Sequence, residues 1–195
     1  MLYFGSFNPI HKGHIALAEY VIEQGLCDLV TLIVSPQSPY KREQELAPAL
    51  DRFEMAELAC SSSRYAEQIK PSVVELLLPK PSYTIDTLRY LEQISAGSMQ
   101  LSILMGADQL PGLKGWREWE KIVEYPIYVY PREGGEPVEL PHPSMQLLEG
   151  APLWNLSATE VRERIARGDE VLNYIHPKVA WHIRTKGLYK KNDNE

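Results

Sequence analysis

The sequence predicts an α/β protein with a doubly wound, mainly parallel β-sheet and a small helical part at the C-terminus. Short apolar segments alternate with helical patterns through most of the chain, as they do in parallel βαβ crossovers. Polar clusters follow four of the predicted strands, at the edge where open parallel sheets bind ligands. From residue 157 onward the pattern is helical only. These observations together define the fold class.

The composition fits one globular domain spanning residues 1–195. The chain is 44% hydrophobic and 24% charged, as expected for a soluble protein with a sizeable core. The net charge of −6 argues against a nucleic-acid surface, which usually needs a basic stripe. It leaves an anionic substrate open, because a local cleft can be positive within an acidic protein. No signal peptide or membrane-length apolar run is present, so we expect a cytoplasmic protein without membrane contact.

The elements follow in order from periodicity and from Gly and Pro boundaries. Strands are predicted over residues 2–4, 30–34, 72–78, 101–105, 127–130 and 145–148. Helices are predicted from residue 15 to about Gly25, and over residues 49–59, 84–94, 116–123, 157–168, 171–175 and 179–185. In the second helix the inward candidates are Leu50, Phe53, Ala56 and Leu58. Residues 37–48 and 131–143 are predicted loops.

The strand, turn and helix at residues 4–14 read Phe-Gly-Ser-Phe-Asn-Pro-Ile-His-Lys-Gly-His. The start of a helix exposes unpaired N–H groups and the positive end of a dipole, which together attract anions. Gly5 allows a backbone to approach a ligand closely. His11 and His14 are three residues apart and can face the same way. The stretch predicts phosphate binding; the alternative is a tight turn with two surface histidines.

This stretch resembles the (His/Thr)-x-Gly-His element of the nucleotidylyltransferase superfamily. Its longer form is most similar to bacterial nicotinate-nucleotide adenylyltransferases, and it implies their Rossmann-like fold. The resemblance implies that ATP is bound by Gly5, Ser6, Phe7, His11 and His14. It makes His14 and His11 the catalytic residues, and it assigns Asn8 to the nicotinate nucleotide.

Residues 156–162, Leu-Ser-Ala-Thr-Glu-Val-Arg, resemble the second element of the superfamily, Ile-Ser-Ser-Thr-x-x-Arg. The resemblance implies that Ser157, Thr159 and Arg162 bind the β- and γ-phosphates of ATP. Ala158 stands where the family usually has a second serine, which removes a hydroxyl but keeps the amide. The alternative is an ordinary helix start, because Ser157 and Glu160 also form a capping-box pattern.

Three further regions resemble the nicotinate-nucleotide binding part of these enzymes. Residues 81–88, Pro-Ser-Tyr-Thr-Ile-Asp-Thr-Leu, are similar to their Ser-Tyr-Thr-x-Asp-Thr-Leu run, in which Thr84 can offer a hydroxyl and amides to a carboxylate. Gly-Ala-Asp at 106–108 with Trp116 resembles Gly-x-Asp…Trp, which implies that Trp116 stacks on the pyridine and that Asp108 lies near the sugars. Arg132 matches the arginine after the fifth strand. The alternatives are a half-buried Trp116 and a purely structural Asp86.

In the loop after the second strand, Lys41 resembles the lysine of the family's Pro-x-x-x-x-His-Lys region and is a candidate ligand for the nicotinate nucleotide. Tyr40 replaces the histidine of that pattern. A plain surface lysine is the alternative at Lys41. The histidines outside the first motif, His142, His176 and His182, show no metal-ligand spacing and are expected to be solvated or core histidines. Cys27 and Cys60 lack C-x-x-C spacing and are expected to be unpaired thiols in helix-like surroundings.

The resemblance implies transfer of the adenylyl group of ATP to nicotinate mononucleotide, giving nicotinate adenine dinucleotide and pyrophosphate. Mg²⁺ is expected to arrive with ATP, without a resident metal site. The sequence leaves open another acceptor, such as nicotinamide mononucleotide or phosphopantetheine. A non-catalytic nucleotide-binding module and a fragment of an aminoacyl-tRNA synthetase are the rivals from other classes. A homo-oligomer is compatible with the sequence, which does not determine the number of subunits.

Overall fold

Six parallel strands form one sheet in the order β3-β2-β1-β4-β5-β6 in a computed structural model. The structure describes residues 1–36, 46–132, 134, 138–154 and 156–190. The strands are β1 (Leu2–Gly5), β2 (Val30–Val34), β3 (Ile69–Ser72), β4 (Ile103–Gly106), β5 (Ile127–Tyr130) and β6 (Met145–Leu147). All five pairings are parallel. The predicted α/β class and doubly wound sheet are therefore confirmed.

Helices cover both faces of the sheet and account for its two hydrophobic cores. They are α1 (Lys12–Glu23), α2 (Ala49–Cys60), α3 (Thr84–Ser95), α4 (Leu110–Leu113), α5 (Trp119–Ile122), α6 (Ala158–Arg167) and α7 (Pro177–Lys186). Side chains alternate along each strand, so Tyr3 and Leu32 join the core under α1, α2 and α7. Their neighbours Leu2 and Ile33 join the core under α3. Both cores need strands that are apolar on both faces, as the sequence pattern indicates.

The strand order reverses between β1 and its neighbour β4. β1 pairs with β2 on one side, from Leu2↔Thr31 to Gly5↔Val34, and with β4 on the other through Leu2↔Ile103 and Tyr3↔Leu104. The connections that follow β1 and β4 run in opposite directions, which opens a crevice between the carboxyl ends of these two strands. The motif at residues 4–14 follows β1 and lies at this point. Because β1 is a central strand, the motif lies at the middle of the sheet edge.

Three predicted elements differ from the structure. The strand predicted over residues 72–78 is wrong: β3 ends at Ser72, and residues 74–77 form a 3₁₀ helix. Pairing with β2 runs only from Val30↔Ile69 to Ile33↔Ser72, and β2 itself ends at Val34, so it offers residues 74–77 no partner. The helix predicted over residues 116–123 shrinks to α5, and residues 171–175 form a hydrogen-bonded turn instead of a helix.

The inward face of α2 was also predicted wrongly in part. Leu50 is 63% exposed, whereas Arg52 is completely buried. The apolar periodicity does not predict that Arg52 is buried, because the carbonyl groups that accept its hydrogen bonds lie outside the helix.

Cys60 is buried and Cys27 is half-buried. Burial raises the pKa of the Cys60 thiol to about 12, which makes it unreactive.

None of the described helices combines the length and apolar character that crossing a bilayer requires.

Candidate active site

A cavity of about 380 Å³ opens at the carboxyl ends of β1 and β4. Most residues predicted for the site line it. From the two predicted ATP elements these are Gly5, Ser6, Phe7, His11, His14, Ser157, Thr159 and Arg162. From the predicted acceptor regions these are Thr84, Asp108, Trp116 and Arg132. The tertiary structure thus brings together segments that are up to about 150 residues apart in the chain.

The loop between β1 and α1 makes a tight turn in which a buried aromatic ring lies over a glycine. Phe7 has a φ of +44°, in the left-handed region that non-glycine residues rarely adopt, and its side chain is buried. Its ring lies directly over Gly5, where an added Cβ atom would come within 2.9 Å of Phe7 Cζ. Position 5 therefore requires glycine, because the side chain of any other residue would clash with the Phe7 ring. The resulting turn leaves the Ser6 segment open to the cavity.

His11 and His14 form a stacked pair at the start of α1. Their ring centroids are 3.6 Å apart, with an interplanar angle of 24°. The His11 main-chain N–H donates to His14 Nδ1 at 3.1 Å, which fixes the tautomer of His14 with the proton on Nε2. The edge of the Phe7 ring packs against His14 at a centroid distance of 5.1 Å. The two rings therefore share one orientation, as their spacing predicts.

His11 is the more buried of the two rings, with 7% of its surface exposed. Burial, with a smaller contribution from the Arg132 charge, lowers the pKa of His11 to about 4. Its Nδ1 atom is buried and has no hydrogen-bond partner among the described residues. An added Cβ at Gly13 would lie 3.1 Å from this atom. His11 is therefore a neutral ring at pH 7, and glycine at position 13 makes room for it.

The start of α6 forms the opposite side of the cavity. Ser157 caps the helix by accepting a hydrogen bond from the Glu160 N–H at 3.1 Å. In the predicted capping box the Glu160 side chain would reach back to the main chain of Ser157. The Glu160 carboxylate pairs with Arg164 instead. Arg162 donates to the Thr159 hydroxyl at 3.2 Å and to the main-chain carbonyl of Asn8 at 2.8 Å. This last bond joins the two predicted ATP elements directly.

A second group of residues lines the cavity around the start of α3. Thr84 is the first residue of the helix, where main-chain N–H groups are unpaired. Trp116 is half-buried and also lines the cavity. Arg117 pairs with Asp86 at 3.2 Å and lies 5.0 Å from the centroid of the Tyr83 ring. Asp86 therefore has the structural role that the sequence left as an alternative, and Arg117 is a cavity residue that sequence analysis missed.

Asp108 and Arg132 form an ion pair at the end of β4 and β5. Arg132 Nε is 3.1 Å from Asp108 Oδ1, and both side chains are almost half exposed. Gly106 is confined here, because an added Cβ would collide with the Asp108 carboxylate and lie 3.1 Å from the Tyr130 hydroxyl. The Tyr130 hydroxyl is in turn 3.2 Å from that of Tyr3. The Asp108–Arg132 ion pair therefore lies close to the Gly106 backbone and to the Tyr130 ring.

One predicted acceptor ligand does not join this group, and another lies outside the described residues. The side chain of Asn8 is buried, with its Oδ1 accepting hydrogen bonds from the Ala47 N–H at 3.0 Å and the Tyr189 hydroxyl at 2.8 Å. It turns away from the cavity because these partners, distant in the chain, pack behind the loop. Lys41 lies outside the described residues, as do Tyr40 and Arg42.

Two buried charged residues near the cavity were missed by sequence analysis. Arg52 donates to the carbonyls of Ser6, Ser35, Pro36 and Ala47 at 2.6–2.9 Å. Glu75 accepts hydrogen bonds from hydroxyl groups and lines the cavity. For Glu75 the only sequence signal was a charged residue inside an apolar segment, whereas Arg52 lies near other charged residues and gave no such signal.

Outside the cavity, the structure brings His182 next to two carboxylates, which its spacing in the sequence does not suggest. The His182 ring is 3.1 Å from Asp51 Oδ1 and 3.6 Å from Glu54 Oε2. Lys186 also approaches Asp51, at 3.6 Å. Because a lysine already supplies the positive charge, this group is an ion-pair cluster that joins α2 to α7. His182 is thus a core histidine, which is one of the two environments that the sequence predicts for it.

Comparison with known proteins agrees with this geometry. The cytidylyltransferase-like family model matches residues 2–164. A Flavobacterium johnsoniae protein named "Probable nicotinate-nucleotide adenylyltransferase" is 38% identical over 194 residues, covering 97% of this chain and 98% of its own. A Bacteroides fragilis protein of the same name is 35% identical over 179 residues, covering 91% and 87%.

Solved structures share the fold. The Plasmodium falciparum nicotinic acid mononucleotide adenylyltransferase complexed with NaAD superposes with a TM-score of 0.79. Its sequence identity is 18%, and the match covers 98% of this chain and 97% of that one. The family match and the relatives above 30% identity decide the assignment. The chain belongs to the cytidylyltransferase-like family, within the bacterial nicotinate-nucleotide adenylyltransferases.

Proposed function

We propose that this protein transfers the adenylyl group of ATP to nicotinate mononucleotide in NAD biosynthesis, releasing pyrophosphate. One observation carries the proposal: the His11–His14 pair and the start of α6 face one cavity and are joined by the Arg162–Asn8 bond. Two helix N-termini and two imidazoles suit a polyphosphate. The Thr84 and Trp116 side of the same cavity offers a place for the second nucleotide.

The reaction needs no enzyme nucleophile. A phosphate oxygen of nicotinate mononucleotide, already ionised at neutral pH, attacks the α-phosphorus of ATP and forms a new P–O bond. The bond from the α-phosphorus to the oxygen bridging to the β-phosphate breaks, and its electron pair leaves with pyrophosphate. The tasks left for the protein are in-line positioning and stabilisation of negative charge.

The residues divide these tasks by position. His14, oriented through its Nδ1, directs an Nε2 proton donor toward the charge that develops on the α-phosphate and the bridging oxygen. Neutral His11 holds the phosphates beside it. Ser157, Thr159 and Arg162 bind the leaving pyrophosphate together with the free amides of α6. Gly5, Ser6 and Phe7 supply the backbone that ATP approaches.

The acceptor lies along the other wall in this proposal. Thr84 and the first amides of α3 take the nicotinate carboxylate, and Trp116 stacks on the pyridine ring. The ion pair of Asp108 and Arg132 lies toward the sugars and phosphate of the nucleotides. Lys41 stays a candidate phosphate ligand. Asn8 acts through its main-chain carbonyl, which holds Arg162.

The Mg²⁺ complex of ATP is the substrate in this proposal. The chemistry of the cavity fits, because its two described carboxylates are already held by protein donors. Asp108 is paired with Arg132, and Glu75 accepts hydroxyl hydrogen bonds. Phosphate oxygens and water therefore suit the ion as ligands, as is usual for Mg²⁺. Pyrophosphate release should stop in excess EDTA and recover when Mg²⁺ is restored.

A direct comparison of acceptors tests the function. The protein is incubated with MgATP and equal concentrations of nicotinate or nicotinamide mononucleotide, and pyrophosphate and dinucleotide are both quantified. We expect dinucleotide from the nicotinate acceptor at the higher rate. A higher rate with nicotinamide mononucleotide would make that compound the acceptor instead. Release of no pyrophosphate with either acceptor would favour a non-catalytic nucleotide-binding module.

The cytoplasm, where ATP is abundant, is the proposed location. A homo-oligomer and the lack of a nucleic-acid partner stay predictions.

A further inference from the structure

Glu75 is a buried carboxylate on the wall of the cavity that the mechanism above leaves unused. Only 3% of its surface is exposed, and it lies in the 3₁₀ turn after β3. No salt bridge within the described part of the chain reaches it. Burying a carboxylate without a cation is costly, so hydrogen bonds must compensate for the lost hydration. The donors it uses show what it holds in place.

The donors are hydroxyl groups on both sides of the start of α3. Ser82 donates to Glu75 Oε2 at 3.2 Å, and Thr87 donates to Oε1 at 3.1 Å. Both donors are themselves buried, with 7% and 0% of their surfaces exposed. Thr84 lies between them in the chain. The carboxylate therefore ties together the segment that begins α3 and presents Thr84 to the cavity.

A further polar group connects Glu75 to the other side of the cavity. The Ser35 side chain, at the end of β2, favours the charged form of the Glu75 carboxylate and so opposes the rise in its pKa that burial causes. The Ser35 carbonyl accepts from Arg52 at 2.7 Å, and the same guanidinium nitrogen donates to the Ser6 carbonyl at 2.6 Å. A series of polar contacts thus runs from the loop after β1, through half-buried Ser35, to the start of α3. Glu75 is the member that contacts α3.

We propose that Glu75 is a positioning residue that fixes the start of α3 for the acceptor nucleotide and so sets the affinity for that substrate. The inference rests on the proposed function, in which Thr84 and the first amides of α3 bind the acceptor. The Ser82 and Thr87 protons are committed to Glu75, which leaves the Thr84 hydroxyl and the helix amides as the donors available to a ligand. A change at Glu75 releases the segment on the acceptor side, while Arg52 still holds the loop on the ATP side.

The test is steady-state kinetics of Glu75→Gln, with each substrate varied at saturating levels of the other. We expect KM for nicotinate mononucleotide to rise about tenfold, since the amide nitrogen cannot accept the Ser82 proton and a lost hydrogen bond has about this effect. KM for ATP should stay within about twofold, and kcat should fall little. Glu67→Gln, an exposed acid-to-amide change after α2, is the matched control and should leave both constants unaltered.

A second variant keeps the test decisive if Glu75→Gln folds poorly. Ser82→Ala removes one donor from the acceptor side alone and should raise KM for the same substrate in the same direction. An equal rise in both KM values, or an unchanged KM for the acceptor with a lower melting temperature, would show a merely structural role and overturn the inference. Absence of wild-type turnover would instead refute the proposed function, which separates the two failures.

Discussion

The guanidinium of Arg162 donates to the main-chain carbonyl oxygen of Asn8 at 2.8 Å, although 154 residues separate them in the chain. The same side chain also donates to the Thr159 hydroxyl at 3.2 Å. Arg162 therefore fixes the start of α6 against the loop that precedes α1. Both predicted ATP elements depend on this contact for their relative position.

Arg162→Lys should reduce kcat/KM for ATP by about 10- to 100-fold. Lysine keeps the charge but lacks the planar fork that donates to two partners in fixed directions. The matched control is Arg164→Lys on the same helix, whose side chain pairs with Glu160 and stacks on Tyr174 away from the cavity. The control should lose less than about twofold. Equal losses in both variants would contradict a special role for Arg162.

His14→Ala should lower kcat by two or more orders of magnitude while the fold stays nearly intact, since one oriented donor to a developing charge contributes roughly 10²- to 10³-fold. The half-buried ring stacks on His11 and meets the Phe7 and Tyr3 rings edge to face at the rim of the cavity, so its loss should leave the two cores in place. Thermal melting measures the fold, and pyrophosphate release measures turnover. His142→Ala, distant in the chain, is the control. Near-normal turnover in the His14 variant would remove this residue from the mechanism.

His11 should make the unfolding free energy depend on pH between about 6.5 and 4. Burial lowers its pKa in the folded protein to about 4, so the unfolded chain binds the proton more readily in this window. Stability is therefore complete above pH 6.5 and falls as the pH drops toward 4, by up to about 3 kcal/mol. In His11→Gln this contribution disappears.

Urea denaturation at pH 7.5 and pH 4.5 measures the effect as a difference between wild type and variant. Carboxylates titrate in both proteins, so their contribution cancels in that difference. The wild type should lose more stability than His11→Gln on acidification. A difference that does not change with pH would show that the ring is already accessible to protons in the folded state.

Gly106→Ala should disturb both the fold and the site. The new Cβ would collide with the Asp108 carboxylate and crowd the Tyr130 hydroxyl, forcing the Asp108–Arg132 pair apart. We expect a loss of about 1–3 kcal/mol and a clear drop in kcat/KM. Gly112→Ala is the control, because its Cβ meets nothing within 4 Å and it lies in α4. The control should be neutral or slightly stabilising; similar losses at both sites would argue against the steric explanation.

Arg52→Met should lower the unfolding free energy by about 3–5 kcal/mol, because four carbonyl groups of half-buried residues lose a fully buried donor at once. Arg64→Met is the surface comparison. Arg64 pairs with Glu19 and Glu23 but its side chain is 61% exposed, so its loss should cost about 1 kcal/mol or less. Chemical denaturation of both variants measures the two losses of unfolding free energy. If the two lose the same amount, the buried network contributes little to stability.

The local patterns in the sequence were sufficient for the central features. Alternating strands and helices predict the parallel sheet, and the spacing of His11 and His14 predicts that the two rings face the same way. Gly168 ends α6 with a φ of +78°, where the sequence places its stop. These features could be predicted because they depend on residues within one or two helical turns, so the determining interactions lie inside the pattern itself.

What only the tertiary structure decided depends on partners that are distant in the chain. The apolar run after β3 forms a 3₁₀ turn beyond the end of its pairing with β2, and Glu75 within it bonds to Ser82 and Thr87. Asn8 turns inward because Tyr189 and the Ala47 amide are behind it. A buried polar side chain is oriented by whichever donors and acceptors the fold brings within about 3 Å, and no local periodicity specifies those partners.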